Sequence, residues 1–223
     1  MLKDVHGATS IAVARLRRRS LLAIGIIVAA SPLAQRALAD TAPDVTATVS
    51  QFNAALLATM KAGARTDFSQ RFQALAPAVD KAFDLPAVLA VSVGLGWASL
   101  SPDQQARLMD AFRRYTVASY VANFDNYAGE TFTISPDTQK LDAGRVVVKT
   151  RMSTTNGGAT QLDYVMKQTP SGWKVVDVLA AGSISRVAVQ RSDFRHLLSN
   201  GGGDALLASL QRKTSDLSGG ALA

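Results

Sequence analysis

The stretch Gly172 to Phe194, GWKVVDVLAAGSISRVAVQRSDF, leaves this chain little freedom. Trp173 to Leu179 reads as a strand with apolar residues on both alternating faces, so both faces need cover. The small run Ala180-Ala181-Gly182 follows, and then Ser183 and Ser185, both N-cap residue types. An amphipathic run comes next, with Ile184, Val187, Val189, Phe194, Leu197 and Leu198. A buried strand that turns straight into a helix fixes how that helix crosses the sheet.

The segments before it supply the rest of a sheet. Thr131 to Ser135 is a short strand. Arg145 to Met152 alternates, with Val146, Val148 and Met152 one way and Arg145, Lys149 and Arg151 the other. Asn156-Gly157-Gly158 is a hairpin signal, and Leu162, Tyr164 and Met166 alternate on the strand after it. Pro170-Ser171-Gly172 turns into the Trp173 strand. About four strands with short turns make an antiparallel meander.

Helical patterns flank the strands. One runs from Pro43 to about Lys61, with Val45, Val49, Phe52, Leu56 and Leu57 on one side. A second, capped by Thr66, runs from Asp67 to about Phe83, where Pro77 is expected to kink or split it. Asp84 caps a short third helix with Pro86 near its first position. Ser101-Pro102-Asp103-Gln104 is a strong start for a long helix to about Phe124. That helix loses its charges after Arg114, so Tyr115 to Phe124 either lines a cavity or is ordinary core. Gly201-Gly202-Gly203 reads as a hinge before a last helix capped by Asp204. The expected class is α+β, an antiparallel sheet of about four strands covered by several helices.

Residues 1–39 read as an export signal. Lys3, Arg15, Arg17, Arg18 and Arg19 form a basic region, Leu21 to Ala30 an apolar run, and Ala37-Leu38-Ala39 a small-x-small cleavage site. Arg18-Arg19-Ser20-Leu21-Leu22 leaves both Sec and twin-arginine export open. Six of the 24 basic residues and one of the 17 acidic residues lie in this segment. The remaining 184 residues carry 18 basic against 16 acidic groups, so the high isoelectric point is no sign of nucleic-acid binding. That length suits one domain, expected over 40–214, with a disordered tail over 215–223. Export places the chain in the periplasm, cleaved after Ala39.

Trp173-Lys174-Val175-x-Asp177-Val178, the Gly/Ser turn, Arg191-Ser192-x-Phe194, a Gly-Gly pair and a Leu-rich helix together resemble the MlaC, or toluene-tolerance auxiliary, family. The resemblance runs from about Phe83 to Lys213. The wording GSISRVAVQRSDF is closer to the hopanoid-associated HpnM branch. The chain departs from MlaC proper at Val176, where an aromatic is commoner, and at Ser183 and Ser185, where the family is more apolar.

The resemblance implies a cone-shaped, NTF2-like apolar cavity between sheet and helices. It implies a monomeric periplasmic carrier of phospholipid or hopanoid, exchanging cargo with an inner-membrane transporter (ABC-type or RND-type) and an outer-membrane acceptor. The candidate lining residues fall in four groups. The short helix offers Val88, Leu89 and Val93. The long helix offers Val117, Tyr120, Val121 and Phe124. Val146, Val148, Tyr164 and Met166 come from the middle strands. Trp173, Val175, Val178, Ile184 and Val187 come from the last strand and the helix after it. Each could equally be plain core.

Conventional catalysis is hard to assemble from this composition. The chain has no Cys, one Glu (Glu130) and two His. His6 lies in the signal, and His196 is expected on a surface or groove. No nucleophile-elbow motif, metal spacing or phosphate loop is present, and no cofactor is expected. Asp177 is the polar residue to weigh, on the side of Trp173, Val175 and Leu179. One reading makes it a general base in an apolar pocket, with Tyr164 or Tyr120 as donor. The other makes it an acceptor for backbone N–H groups or for an arginine such as Arg186 or Arg191.

Overall fold

The computed structural model describes residues 44–222, so the expected export signal and cleavage site lie outside the described residues. Helix α1 (Val45–Ala62) is capped by Asp44, whose carboxylate accepts from the Thr46 N–H at 2.9 Å. Val49, Phe52, Leu56 and Met60 recur on its buried face. Helix α2 (Phe68–Ala82) continues through Pro77, so the proline does not split it. Arg71 on this helix is buried. Its guanidinium donates to the carbonyls of Thr66 and Val121, which ties the α1–α2 loop to the long helix that carries Val121.

Helix α3 (Leu85–Val93) begins with the Asp84 carboxylate accepting from the Ala87 N–H at 3.1 Å. Gly94 ends it and opens a 3-10 turn, Gly94–Ser99. Helix α4 (Pro102–Asn123) has both halves of the capping box. The Gln104 N–H donates to Ser101 Oγ at 3.2 Å, and the Ser101 N–H donates to Gln104 Oε1 at 3.1 Å.

The sheet has five strands in the order β1-β2-β3-β4-β5, each antiparallel to the next. They are β1 (Thr131–Lys140), β2 (Arg145–Ser153), β3 (Ala159–Thr169), β4 (Gly172–Ala180) and the two-residue β5 (Ile184–Ser185). The fifth strand was not expected; it forms because the turn after Ala180 brings Ile184 back beside β4. β1 also runs past Pro136. The register shifts between Ile134 and Thr138, and an edge strand tolerates proline at such a bulge.

A second irregularity matters more. Val165 pairs with Asp177, yet Met166 pairs with Val175, so Val176 is an extra residue in β4. The bulge breaks the expected alternation. Val175 and Val178, three apart, both join the core with Val148, Tyr164 and Met166. The helices cover this face of the sheet, which makes the chain α+β.

Helix α5 (Arg186–Ser218) is capped by Ser185, whose Oγ accepts from the Ala188 N–H at 2.9 Å. Gly202, with φ 65° and ψ −156°, interrupts it where a hinge was expected. A Cβ on the next residue, Gly203, would come within 3.0 Å of Leu100, so this bend sits tightly against the loop before α4. The tail expected to be disordered from Ser215 is instead helical to Ser218. The Arg114 guanidinium ties down the residues beyond that helix, donating to the Leu222 carbonyl at 2.6 Å.

Candidate functional site

A cavity of about 400 Å³ opens between the sheet and the helical cover. Its sheet wall is Met152, Thr160, Leu162, Tyr164, Val178 and Ala180. Phe83, Leu85 and Val88 close it from the start of α3, and Arg186, Val187 and Gln190 from the first turns of α5. The longest wall is α4, with Phe112, Tyr115, Thr116, Ser119, Tyr120 and Asn123, and then Phe124. Phe52, beneath the cavity, meets Phe83, Tyr120 and Tyr164 edge-on, with ring centroids 5.1, 5.1 and 6.1 Å away.

Three α4 residues show how a helix can face a cavity. Thr116 Oγ1 donates to the Phe112 carbonyl, Ser119 Oγ to the Tyr115 carbonyl and Asn123 Nδ2 to the Ser119 carbonyl, at 2.8, 2.8 and 2.7 Å. Both hydroxyls and one N–H of the amide are used within the helix itself. The cavity therefore meets two short hydroxyl side chains whose donors are already used, and an exposed Asn123 with one amide N–H bonded within the helix. Their small volume is part of what keeps the space open.

The candidate lining residues divide accordingly. Val88, Tyr120, Phe124, Tyr164, Val178 and Val187 lie on the cavity wall. Leu89, Val117, Val121, Val148, Met166 and Val175 are fully buried in the packed core, with Val93 close behind. Val146 is half-buried outside that core. Trp173 lines a separate groove beside α1, where its carbonyl accepts from Thr48. Ile184 is 55% exposed on β5, outside the cavity. The correction has one cause on α4: its most apolar stripe goes to the tight core, and the adjacent Thr116, Ser119, Asn123 stripe faces the cavity. That stripe, at helical spacing, is a signal the sequence carried and a search for apolar residues passes over.

Asp177 lines the cavity, but its carboxylate is occupied. Oδ1 accepts from the N–H groups of Val178 and Val187 at 2.7 and 3.0 Å, and Oδ2 accepts from the Ser185 hydroxyl at 2.5 Å. Ser185 in turn caps α5, so one carboxylate joins β4, β5 and the start of that helix. Among the described residues no arginine takes part, and neither tyrosine hydrogen-bonds to Asp177. The Tyr164 hydroxyl donates to Asn53 Oδ1 at 3.1 Å. Burial pushes the Tyr164 phenol well up from its usual pKa. Burial also raises that of Tyr120, against the opposing charge of Arg186. His196 is exposed, beside Asn200. Among the described residues no three His, Cys, Asp or Glu side chains cluster as metal ligands.

Asp177→Ala is expected to destabilise the protein by about 1–3 kcal/mol, since it strands two N–H groups and a hydroxyl. Asp177→Asn, which can still accept from both N–H groups, should cost less. Denaturant unfolding measures both. Unchanged stability in the alanine variant would remove the structural role.

The fold and the cavity together define an α+β protein with a mainly apolar cavity between an antiparallel sheet and its helical cover. The chain belongs to the MlaC family: the family model described as "MlaC protein" matches residues 50–212. It is also similar to a solved structure, a phospholipid-binding protein from Ralstonia solanacearum in complex with a phospholipid. The two are 25% identical with a TM-score of 0.68, over 78% of this chain and 99% of that one.

Proposed function

We propose that this chain is a periplasmic carrier that holds phospholipid in the cavity between sheet and helices and moves it between the inner and outer membranes. The observation that carries the reading is the mainly apolar cavity of about 400 Å³, within the usual size range of ligand sites. Membership of the MlaC family and the similarity to a phospholipid-bound protein support it. Residues 1–39 would serve export and be removed after Ala39. Among the described residues no helix is long and apolar enough to cross a membrane.

The energetics fit a carrier. Two sixteen-carbon tails have about 30 methylenes, and at ~0.8 kcal/mol each roughly 24 kcal/mol opposes exposing them to water. Only apolar surface can offset a sum of that size, so the tails dominate the binding energy. Cargo would come from an inner-membrane transporter of ABC or RND type and pass to or from an outer-membrane acceptor. The hopanoid-like wording of GSISRVAVQRSDF favours a second cargo, a flat-ring terpenoid lipid, in the same cavity.

A transfer assay tests the reading. Delipidated protein should carry labelled phospholipid from donor to acceptor vesicles held apart by a membrane that passes protein but not vesicles. Transfer no faster than in buffer would defeat it. An enzymatic role for Asp177 would appear instead as chemical turnover of the lipid.

A further inference from the structure

We propose that the end of the molecule built by α3 and the start of α5 docks directly on a lipid bilayer, with Leu95 seated among the acyl chains. This rests on the carrier reading above. Among the described residues the exposed large apolar side chains are Val91, Leu95, Tyr127, Ile184 and Val189. A single exposed leucine needs no explanation. Here, however, all but Tyr127 fall on two neighbouring elements. Val91 and Leu95 belong to α3 and the 3-10 turn after it, Ile184 and Val189 to β5 and the first turn of α5. The two elements touch. Ser92 Oγ lies 3.4 Å from Gln190 Oε1, and a Cβ on Gly94 would come 3.6 Å from the guanidinium of Arg191.

Leu95 is 95% exposed and stands between two glycines, Gly94 and Gly96. The outward side of α3, Ala87, Ala90 and Val91, is apolar like its buried side. A helix apolar all round is normally covered all round. Residues 85–100 hold no charged side chain, and residues 178–192 hold Arg186 and Arg191 alone. Of the carboxylates that bracket these segments, Asp84 and Asp177 are engaged as hydrogen-bond acceptors, and Asp193 follows Arg191 by two residues. An apolar tip edged by arginines matches a bilayer interface, where apolar side chains enter the hydrocarbon and guanidinium groups stay level with the phosphates.

The same elements wall the cavity: Leu85 and Val88 from α3, Arg186, Val187 and Gln190 from α5. Arg186 is exposed, so the cavity meets water at the start of α5. Ile184 stands at this rim. It pairs with Ala180, which pairs with Leu162, and cross-strand partners share a face, so all three lie on the cavity side of the sheet. Tails that reached the cavity through water would meet the whole cost of exposure. A rim pressed into a bilayer lets them pass from acyl chains to cavity without it. A bilayer is favoured over a protein partner because the exposed side chains sit on the cavity's own walls, and the bilayer is where a lipid cargo lies.

The test places a tryptophan at the tip. Leu95→Trp is mixed with vesicles of phosphatidylglycerol and of phosphatidylcholine brominated on its acyl chains. Its fluorescence is read against the wild type, whose two tryptophans set the background. Leu95→Trp should gain a component that the bromine quenches. Ser50→Trp, exposed on α1, which packs on α2 and the sheet, should not. Leu95→Asp should weaken sedimentation with vesicles and slow transfer between them, each at least about tenfold, the scale of one large apolar side chain leaving hydrocarbon. Its lipid content and melting temperature should match the wild type, because Leu95 lies outside both the core and the cavity wall. No quenching in Leu95→Trp, equal quenching in Ser50→Trp, or wild-type sedimentation and transfer by Leu95→Asp would each overturn the proposal. A Leu95→Trp spectrum that shifts with protein concentration and not with vesicles would overturn it too, and assign the tip to a second copy of the chain. Wild-type transfer no faster than in buffer would instead defeat the carrier reading.

Discussion

Ser119→Trp is expected to empty the protein of lipid while leaving it folded. Ser119 lies midway along the α4 wall, its hydroxyl bonded to the carbonyl one turn back, and its side chain faces open space. An indole buries 150–250 Å² of surface, a large body to place in a cavity of about 400 Å³. It would take the place of a lipid tail. Occupancy should fall at least about tenfold, equivalent to ~1.4 kcal/mol. The melting temperature of the delipidated protein should hold or rise, because the ring fills a void. Val117→Trp is the matched control. Val117 is fully buried in close-packed core two positions away, so overpacking there should cost about 1–3 kcal/mol. Lipid per protein and melting temperature, measured on both variants, separate cavity from core. The assignment fails if Ser119→Trp keeps its lipid and melts low.

Phe52→Ala should have the largest effect on stability, a loss of about 3–5 kcal/mol. Phe52 is 1% exposed and sits under the cavity floor, where Phe83, Tyr120 and Tyr164 all lean on its ring. Removing it leaves a hole that three aromatic side chains can close only by shifting. Tyr120 and Tyr164 line the cavity, so the loss should reach lipid binding as well. Denaturant unfolding with and without phospholipid vesicles measures both effects. A loss under about 1 kcal/mol would mean that the floor can repack, and that Phe52 does not set the cavity's shape.

The features legible in the sequence were those fixed by local chemistry. The start of α4 was plain because Ser101, Pro102 and Gln104 satisfy the helix end among themselves. Asp84 and Pro86 marked α3 for the same reason, and the glycine run marked the break at Gly202. The features that were missed depend on distant partners. Nothing near Val176 announces a bulge; it appears only when β4 is laid against β3. β1 continues past Pro136 because that strand is an edge. The end of the chain is ordered by Arg114, more than a hundred residues away.

The cavity was half legible for a related reason. Loss of charge after Arg114 identified the right part of α4 but not its facing side. Hydrophobicity says which residues leave water, and Val117 and Val121 do so by packing tightly. A cavity wall also needs residues that leave space and ask for nothing from it, which here are Thr116 and Ser119. Asp177 was read as an acceptor for backbone N–H groups or for an arginine; the N–H groups of Val178 and Val187 are the partners found, with the Ser185 hydroxyl, which depends on the β4–β5 pairing, added to them.

The most direct measurement of the central claim is native mass spectrometry of the intact protein, purified from its own cell envelope without detergent. A carrier that holds phospholipid between sheet and helices should show a population heavier than the polypeptide by the mass of a phospholipid. Solvent extraction should remove that population, incubation with phospholipid vesicles should restore it, and Ser119→Trp should lack it. Wild-type protein that stays at the bare polypeptide mass after incubation with such vesicles would contradict the account.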